Sequence, residues 1–339
     1  MLEVIEPGLA TTVQDMGRQH GQALGIPPSG AQDGFALRIA NLLVGNPTGG
    51  PLILRNDPGA AGLEMLLIGP KLRALVPCVV AVTGVDMTPL IDGVPAPGWQ
   101  ALALRTGQVL SFAPPRRGAR GYLAVHGGID VPLYLGSRST HVRGQFGGFE
   151  GRVLKAGDRL PVGPATNTAD ALVGRRLRAD LIPRYEPPHR VRVIKGPEDH
   201  LFTEASVETF FGIEWRLNAK ADRTGFRYVG PQLGFKPGER PEYLIQDAGA
   251  DPSNIVIDPG APAGTIQVPS GVEPIVLGVD APSIGGYARI GVVISIDMSA
   301  VGQTRPGEAT RFVPVSHDEA VAALRAQEAL ITESSVASA

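Results

Sequence analysis

The stretch GLEMLLIGPKLRALVPCVVAVTG, residues 62–84, carries the pattern that decides the fold class. Two short apolar runs, 63–68 and 72–75, stand on either side of Gly69-Pro70. Apolar runs of this length, separated by a Gly-Pro pair, favour short strands joined by a tight turn over helices. We therefore predict strands here, with a hairpin at Gly69-Pro70.

Similar pieces return further along the chain. LIGPKL at 67–72 resembles YVGPQL at 228–233. A glycine turn that leads into a strand occurs three times, as TGQVLSF (106–112), AGDRLPV (156–162) and PGEATRF (306–312). Weak internal repeats of this kind predict two related β-rich halves.

The composition agrees with a mostly β chain that contains a few helices. The 339 residues include 44 glycines and 31 prolines, which suits many short strands connected by turns. Hydrophobic residues make up 43% and charged residues 19% of the chain, as in folded globular proteins. The length allows two domains or one large β domain, each with its own core.

Three segments carry helix signals. Residues 33–44 place apolar side chains on one face and are followed by Gly45-Asn46-Pro47, which ends a helix. Thr203 can cap a short helix that extends to Phe211. Ser316 and Glu319 form a capping box that begins a final helix. We expect the tail from residue 333 onward to be frayed.

The segment from 166 to 189 mixes small polar residues, arginine and proline without strand alternation. We therefore predict a first subdomain over 1–165, a connector over 166–189 and a second subdomain over 190–320. Residues 321–339 are assigned to a C-terminal helix and tail.

Charge and cysteine content narrow the classes of function. The net charge is −2 and no block of like charge is present, so we expect no nucleic-acid partner. No run of 18 apolar residues and no signal peptide is visible, which predicts a cytoplasmic protein without a membrane partner. The single cysteine, Cys78, lies in an apolar run and is interpreted as a buried small hydrophobic residue.

Missing motifs exclude several chemistries. No lysine follows a glycine, so a Walker-type phosphate loop cannot form. The six histidines are never three or four residues apart, and we predict no metal site. No lysine stands next to a methionine, so the usual A-M-K-M biotin attachment site is missing. If biotin is used, another chain carries it.

Long ordered stretches resemble the carboxyltransferase family that is also called allophanate hydrolase subunit 2 or KipA. The resemblance covers about residues 1–320. The segments that carry it include PGLATTVQDMGR (7–18), GIPPSGAQDGFALRIANLLVGNP (25–47), VRVIKGPEDHLFTEAS (191–206) and DAPSIGGYARIGVVISID (280–297). The resemblance implies two related subdomains with cyclophilin-like, β-barrel-type folds.

The family resemblance implies one of two activities. Urea carboxylases move a carboxyl group from carboxybiotin to urea, with a biotin carboxylase and a biotin carrier as partners. 5-Oxoprolinases open a cyclic amide with ATP, together with a KipI-like (allophanate hydrolase subunit 1-like) subunit and a lactam-utilisation protein. Both substrates are small amides, and neither activity requires a cofactor bound covalently to this chain. The alternative is a non-catalytic regulatory protein of the KipA kind, which antagonises a kinase inhibitor.

Some sequence features favour the urea carboxylase branch, and others favour the oxoprolinase branch. The segment QDAGADPSNIVIDPG at 246–260 resembles the P-S-N motif of urea carboxylases, but Asp251 stands where that branch has histidine. DAPSIGGY at 280–287 also resembles the urea carboxylase branch. The length of the chain favours the oxoprolinase branch instead, and the two remain open at this point.

Polar residues in loop-like positions are the candidates for binding and chemistry. A urea or lactam presents a carbonyl acceptor and N–H donors, so its site should pair carboxylates or amides with Arg or Tyr donors. We assign catalysis to Asp33, Gln267 and Tyr287, which we expect to share one pocket. The substrate-binding candidates are Gln14, Asp15, Arg18, Ser29, Asp222, Arg223, Asp280 and Ser283, with Arg138 as a secondary candidate.

Two glycine pairs are candidates for oxyanion-stabilising or biotin-facing loops. They are Gly147-Gly148 and Gly285-Gly286, whose backbone N–H groups could stabilise negative charge on a reacting oxygen. Phe146 is expected to form an apolar wall beside the first pair. The alternative is structural: the glycines serve tight turns, Asp33 stabilises the first turn of its helix, and Asp222 pairs with Arg223.

Overall fold

The computed structural model describes residues 1–18, 21–50, 57–164, 169–236, 262–283 and 285–337. The chain divides into two compact units, the first formed by 1–20, 28–185 and 326–339, the second by 21–27 and 186–325. Strands dominate over helices in both units, which confirms the mostly β prediction. The subdomain limits derived from the sequence stay a prediction. Within the described part of the chain, no helix has the length and apolar character needed to cross a membrane.

The first unit contains two large sheets, a small two-stranded sheet that includes β12 (Arg176–Leu177), and a central helix, α1 (Gly34–Leu43), followed later by the short α2 (Ala169–Leu172). Its strands in chain order are β1 (Leu2–Glu6), β2 (Thr11–Gln14), β3 (Gly62–Leu66), β4 (Lys71–Ala74), β5 (Cys78–Gly84), β6 (Pro89–Ile91), β7 (Val94–Pro95), β8 (Ala101–Leu104), β9 (Val109–Phe112), β10 (Arg120–Val125), β11 (Arg159–Leu160) and β12 (Arg176–Leu177). One sheet has the order β11-β1-β4-β9-β6-β7 and the other β2-β3-β10-β5-β8.

The second sheet of this unit is buried on both faces, and strand alternation explains how. On β5, Val80 and Val82 pack into the core shared with the first sheet, whereas Val79 and Ala81 pack against α1. Because successive side chains of a strand point to opposite faces, a continuous apolar run such as 78–82 fits only a strand covered on both sides. The run in the sequence therefore specifies a central strand.

The second unit contains a closed barrel. Its strands are β13 (His189–Lys195), β14 (Glu214–Leu217), β15 (Gly225–Val229), β16 (Thr265–Gln267), β17 (Ile275–Leu277), β18 (Arg289–Val293) and β19 (Ala309–Pro314), in the order β13-β18-β16-β17-β15-β14-β19. The barrel closes where β19 pairs with β13 in parallel. The helices of this part are α3 (Glu204–Gly212), α4 (Met298–Gln303) and α5 (His317–Glu328). Short 3-10 turns over both units are Gln22–Leu24, Ala179–Leu181, Asp199–Leu201, Pro269–Gly271, Ser295–Asp297 and Glu333–Ser335.

The three glycine turns predicted from the sequence are confirmed, and they are alike in detail. Gly107, Gly157 and Gly307 have φ of 87°, 89° and 85°, the left-handed region that favours glycine. In each turn, the side chain after the glycine accepts a hydrogen bond from the backbone N–H three residues earlier: Arg105 to Gln108, Lys155 to Asp158 and Arg305 to Glu308. Each turn leads directly into β9, β11 or β19.

The predicted helix starts are also confirmed. Asp33 is the N-cap of α1 and accepts from the Ala36 N–H at 3.0 Å. Thr203 caps α3 by accepting from the Ser206 N–H. The Ser316 N–H donates to the Glu319 carboxylate at 2.7 Å and the Glu319 N–H donates back to the Ser316 hydroxyl, which completes the capping box.

Two local predictions were wrong. The runs around Gly69-Pro70 do not form a hairpin, because β3 and β4 belong to different sheets and the turn carries the chain from one sheet to the other. The tail is not frayed over 333–337: its last strand, β20 (Val336–Ala337), pairs antiparallel with β12, and the side chains of Leu330 and Ile331 pack against the α1 core. Both errors come from tertiary pairing, which local signals do not contain.

Candidate functional site

The carboxylate of Asp15 organises a loop more than 120 residues away in sequence. Its Oδ1 accepts from the Ser137 hydroxyl at 2.7 Å and the Gly17 N–H at 2.8 Å, and also from the Ser139 hydroxyl. Its Oδ2 accepts from the Arg138 N–H. Asp15 is fully buried, so these donors replace water around the charge. The carboxylate thereby fixes the conformation of the segment 137–139.

Gln14 and Arg18 also hold this loop. The Gln14 amide donates to the Thr140 carbonyl at 3.1 Å and accepts from the Gly30 N–H at 3.2 Å. The buried Arg18 guanidinium donates to the Ser139 carbonyl and lies 5.1 Å from the centre of the Phe146 ring. Cation–π contacts of a buried guanidinium contribute on the order of 1–2 kcal/mol. The sequence-predicted residues of the first motif thus converge on one loop.

Gly147 and Gly148 line a cavity of about 440 Å³, together with Tyr134 and Phe146. Both glycines have positive φ, 67° and 56°. A side chain at Gly147 would overlap the Ser139 carbonyl, and one at Gly148 would overlap the Thr140 hydroxyl. These positions therefore require glycine for packing as well as for φ.

The backbone N–H groups of Gly147 and Gly148 are available as hydrogen-bond donors in the described part of the chain. Neither the Gly147 nor the Gly148 N–H donates a hydrogen bond to any residue in the described ranges. Backbone N–H groups held in a rigid loop can stabilise an oxyanion, which is the role predicted for this pair. Phe146 lies in the cavity wall and forms an apolar surface beside the glycine pair.

Asp33 lies at the centre of a second, deeply buried network. In addition to capping α1, its Oδ2 accepts from the Tyr185 hydroxyl at 2.9 Å. Its own N–H donates to the Tyr122 hydroxyl at 2.7 Å, and that hydroxyl donates to Glu64 Oε2 at 2.7 Å. Glu64 also lies 3.6 Å from the Arg120 guanidinium. One helix N-terminus is thus connected to a tyrosine, a carboxylate and an arginine of the adjacent sheet.

The two tyrosines of this network are held in the neutral state. Burial raises the pKa of Tyr122 well above its usual value, and the negative charges of Glu64 and Asp33 add to this effect. The pKa of Tyr185 is raised by burial and by the Asp33 charge. Loss of either proton would place a second anion beside a carboxylate in a low-dielectric interior. Both hydroxyls therefore serve as fixed hydrogen-bond donors.

Ser29 is a further polar residue of the first unit with spare capacity. It has φ of 54°, an uncommon conformation for serine, and its buried hydroxyl has no hydrogen-bond partner in the described part of the chain. The adjacent glycines Gly17 and Gly30 approach so closely that a side chain on either would overlap the backbone of the other's segment. Their packing fixes the strained position of Ser29.

Within the second unit, Gln267 ends β16 and lies against Gly286. A side chain at Gly286, whose φ is 153°, would overlap the Gln267 amide nitrogen. Gln267 is buried and Tyr287 is half-buried. The structure therefore brings Gln267 next to the Gly285-Gly286 loop. The prediction that Asp33 shares a pocket with Gln267 and Tyr287 stays a prediction.

The remaining candidates of the second unit form a structural pair and a turn. Arg223 donates to both oxygens of Asp280, at 2.7 and 3.2 Å, and its backbone carbonyl accepts from the Asp280 N–H. Asp222 accepts from the N–H groups of Thr224 and Gly225, which forms a side-chain-stabilised turn. The alternative that Asp222 pairs with Arg223 therefore names the wrong carboxylate, because the guanidinium pairs with Asp280.

Two further predicted features are Ser283 and the P-S-N segment. The buried hydroxyl of Ser283 has no partner among the described residues, and Ile284 beside it lies outside them. The P-S-N segment at 246–260 also lies outside the described residues. Among those that the structure does describe, no group of three His, Cys, Asp or Glu side chains is arranged to hold a metal ion.

Sequence reasoning missed several residues of these networks: Glu64, Tyr122, Ser137, Ser139 and Tyr185. Glu64 and Tyr122 stand within strand patterns, where an isolated polar residue is ordinarily interpreted as solvent-facing. Glu64 could have been found, because a carboxylate between Leu63 and Met65 in a strand buried on both faces needs a partner.

Comparison with known proteins places this arrangement in a family. Residues 24–314 match the model described as "Carboxyltransferase domain, subdomain A and B". The chain is 36% identical over 329 residues to a 5-oxoprolinase subunit of Escherichia coli, covering 97% of this chain and 96% of that protein. It is 33% identical over 337 residues to urea amidolyase of Saccharomyces cerevisiae, covering 97% of this chain and 17% of that protein.

A solved structure shows the same fold. The crystal structure of the Kluyveromyces lactis urea carboxylase superposes with a TM-score of 0.86 at 32% identity, over 100% of this chain and 30% of that one. The chain thus corresponds to less than a third of the urea carboxylase and to nearly all of the oxoprolinase subunit.

Proposed function

The chain belongs to the carboxyltransferase family of subdomains A and B, and from this premise we propose that it is one subunit of a multi-protein enzyme that acts on a small amide. The favoured reaction is the ATP-dependent opening of the 5-oxoproline ring. Carboxylation of urea by carboxybiotin is the second candidate. The reason is that a urea amidolyase and a urea carboxylase also match nearly the whole of this chain.

The observation that carries the first choice is the reciprocal coverage. The match with the Escherichia coli 5-oxoprolinase subunit extends over almost the whole of both chains, whereas the urea amidolyase contains this unit as 17% of a much longer polypeptide. That relative is named as a subunit of 5-oxoprolinase, which supports the proposed subunit role. The KipI-like subunit and the lactam-utilisation protein are the proposed partners.

We assign a role in the proposed reaction to each residue from the hydrogen-bond donors, acceptors or charge that it offers. The N–H groups of Gly147 and Gly148, which donate to no residue that the structure describes, are suited to an anionic oxygen that develops during amide chemistry. Gln267 and Tyr287 are the proposed substrate-facing groups of the second unit, and Asp33 is the proposed catalytic carboxylate of the first. Asp15, Gln14 and Arg18 act through the loop that they hold.

The proposed cofactors are not attached to this chain. In the favoured reaction, ATP bound by the assembled complex drives the ring opening. In the second, carboxybiotin on a partner chain supplies the carboxyl group. In both, the residues of this chain bind and orient the amide and stabilise charge on its oxygen.

Reconstitution tests this proposal. The purified chain, mixed with the proposed partner subunits, should release glutamate from 5-oxoproline in an ATP-dependent manner, measured by mass spectrometry with ¹³C-labelled substrate. The chain alone should show no turnover. Formation of allophanate from urea and bicarbonate, with biotin carboxylase and biotin carrier added, would establish the second reaction instead. Turnover of 5-oxoproline by the chain alone would refute the subunit role.

A further inference from the structure

A second cavity of the first unit, of about 390 Å³, lies beyond the end of β5. Three further segments close it: 96–99, 116–117 and 182–185. Its volume falls in the range of small-molecule pockets, which is about 300–1,000 Å³. The cavity shares no lining residue with the one beside Gly147 and Gly148.

The rim of this cavity is positively charged. Arg116, Arg117 and Arg184 are among its lining residues, together with the carboxylate of Asp86. Arg116 lies 3.4 Å from Asp86, but both side chains are largely exposed and such pairs are weak. Arg184 forms no ion pair within the described part of the chain. The Arg184 guanidinium is therefore a positive charge at this cavity that no carboxylate of the described residues neutralises.

The floor of the cavity is apolar, aromatic and rigid. Trp99 and Met87 are nearly fully buried there. Trp99 has φ of 55°, an outlier for an aromatic residue, and its ring lies 6.5 Å from that of Phe35. Strained residues persist where the surrounding packing enforces them, and they concentrate at ligand-binding sites.

The aromatic wall adds no competing acceptor. The Tyr185 ring lines the cavity, but its hydroxyl is committed to Asp33 at 2.9 Å. Recognition of an anionic group therefore depends on the arginines, since the other charged side chain of the lining is the carboxylate of Asp86. Guanidinium groups bind carboxylates through paired N–H donors and also stack on flat surfaces.

We propose that this cavity binds a small organic carboxylate with a flat apolar body, its anionic group on the arginine rim and its body on the Trp99 floor. A neutral amide of the same shape has the apolar contacts but offers no negative charge to the Arg184 guanidinium. The inference does not depend on the reaction proposed above, because the ligand is defined by charge and shape alone.

Fluorine NMR of the full chain labelled with 5-fluorotryptophan tests the site. The protein has two tryptophans, Trp99 in this cavity and Trp215 buried in the barrel, so each gives one signal, and Trp99→Phe assigns them. Sodium benzoate at constant ionic strength should shift the Trp99 signal to saturation and leave the Trp215 signal in place. Benzamide should produce no saturable shift.

Two variants locate the anion contact. Arg184→Met should weaken benzoate binding by at least about fivefold, the loss of one charge-assisted contact. Arg159→Met, on an exposed edge strand of the same unit, is the matched control and should not change it. Equal shifts with benzamide and benzoate, or equal affinity in both variants, would overturn the site. Tighter binding of inorganic phosphate than of benzoate would overturn the carboxylate assignment.

Discussion

At the scale of single residues, Asp33 has a structural role as a helix cap and a proposed catalytic role. Two substitutions distinguish the two roles. Asp33→Asn keeps a side chain suited to capping α1 but weakens the contact with the Tyr185 hydroxyl. We expect a loss of about 1–3 kcal/mol in the free energy of unfolding. If Asp33 is catalytic, turnover of the reconstituted enzyme should fall by at least about 10²-fold.

Tyr122→Phe is the matched control for this prediction. It removes a buried hydroxyl from the same network, between the Asp33 backbone and Glu64, and leaves the Asp33 carboxylate unchanged. Its unfolding free energy should fall by a similar amount, and its turnover should stay near that of the unmodified protein. Denaturant unfolding and the reconstituted assay measure both. Equal losses of turnover in the two variants would mean that Asp33 acts only by positioning α1.

A second residue-scale prediction concerns Cys78. Cys78 is only partly buried, whereas the sequence predicted full burial. Even so, its burial raises the pKa of the thiol to about 11, so the reactive thiolate is scarce at neutral pH. At pH 8 the folded chain should react with a disulfide reagent about a hundredfold more slowly than the chain in denaturant, and the rate should rise as the pH approaches 11. A fast reaction of the folded protein at pH 8 would contradict the structural role of this cysteine.

Some residues of the candidate site can be predicted from the sequence, and others cannot. Gln14, Asp15 and Arg18 are predictable from the sequence because they are polar residues at positions that no hydrophobic pattern explains, and the structure brings all three to one loop. Their partners, Ser137 and Ser139, had no comparable signal. A serine in a loop looks the same in sequence whether it binds a buried carboxylate or faces water.

At the scale of elements, the repeated glycine turns provide a test of backbone strain. A side chain at Gly307 would meet open space, so Gly307→Ala is disfavoured only by its φ of 85° and should cost about 1 kcal/mol. Gly212, at the end of α3, also has open space around it, but its φ is not positive. Gly212→Ala should therefore be neutral or stabilising by about 0.5–1 kcal/mol. Thermal unfolding compares the two, and equal effects would show that φ is not the cause.

Elements whose signals are local could be predicted, and those fixed by distant partners could not. The cap at Asp33, the capping box at Ser316 and the three glycine turns each depend on residues within a few positions of one another. The fate of Gly69-Pro70 depends instead on which sheet each flanking strand joins, and β3 and β4 find their partners in β10 and β1. Turn residues predict that the chain reverses direction, but they do not indicate which strand it then pairs with.

At the scale of the whole molecule, the proposed role makes a prediction about composition. The purified chain should give no avidin signal at its own mass, because it lacks the usual biotin attachment motif. Elemental analysis should find no stoichiometric metal. A biotinylated band at the mass of this chain, 35.5 kDa, would show that the carrier function resides here and would require a different assignment of partners.

The burial of Asp15 against the 137–139 loop has a consequence for the order of events during folding. Asp15 leaves the ribosome more than 120 residues before Ser137, Arg138 and Ser139, which supply three of its hydrogen bonds. Until they arrive, its carboxylate stays hydrated, because burying an unpaired charge is costly. Contacts that span so much sequence form slowly, since the intervening chain must first be brought together. The loop beside the glycine cavity should therefore acquire its amide protection among the last parts of the first unit.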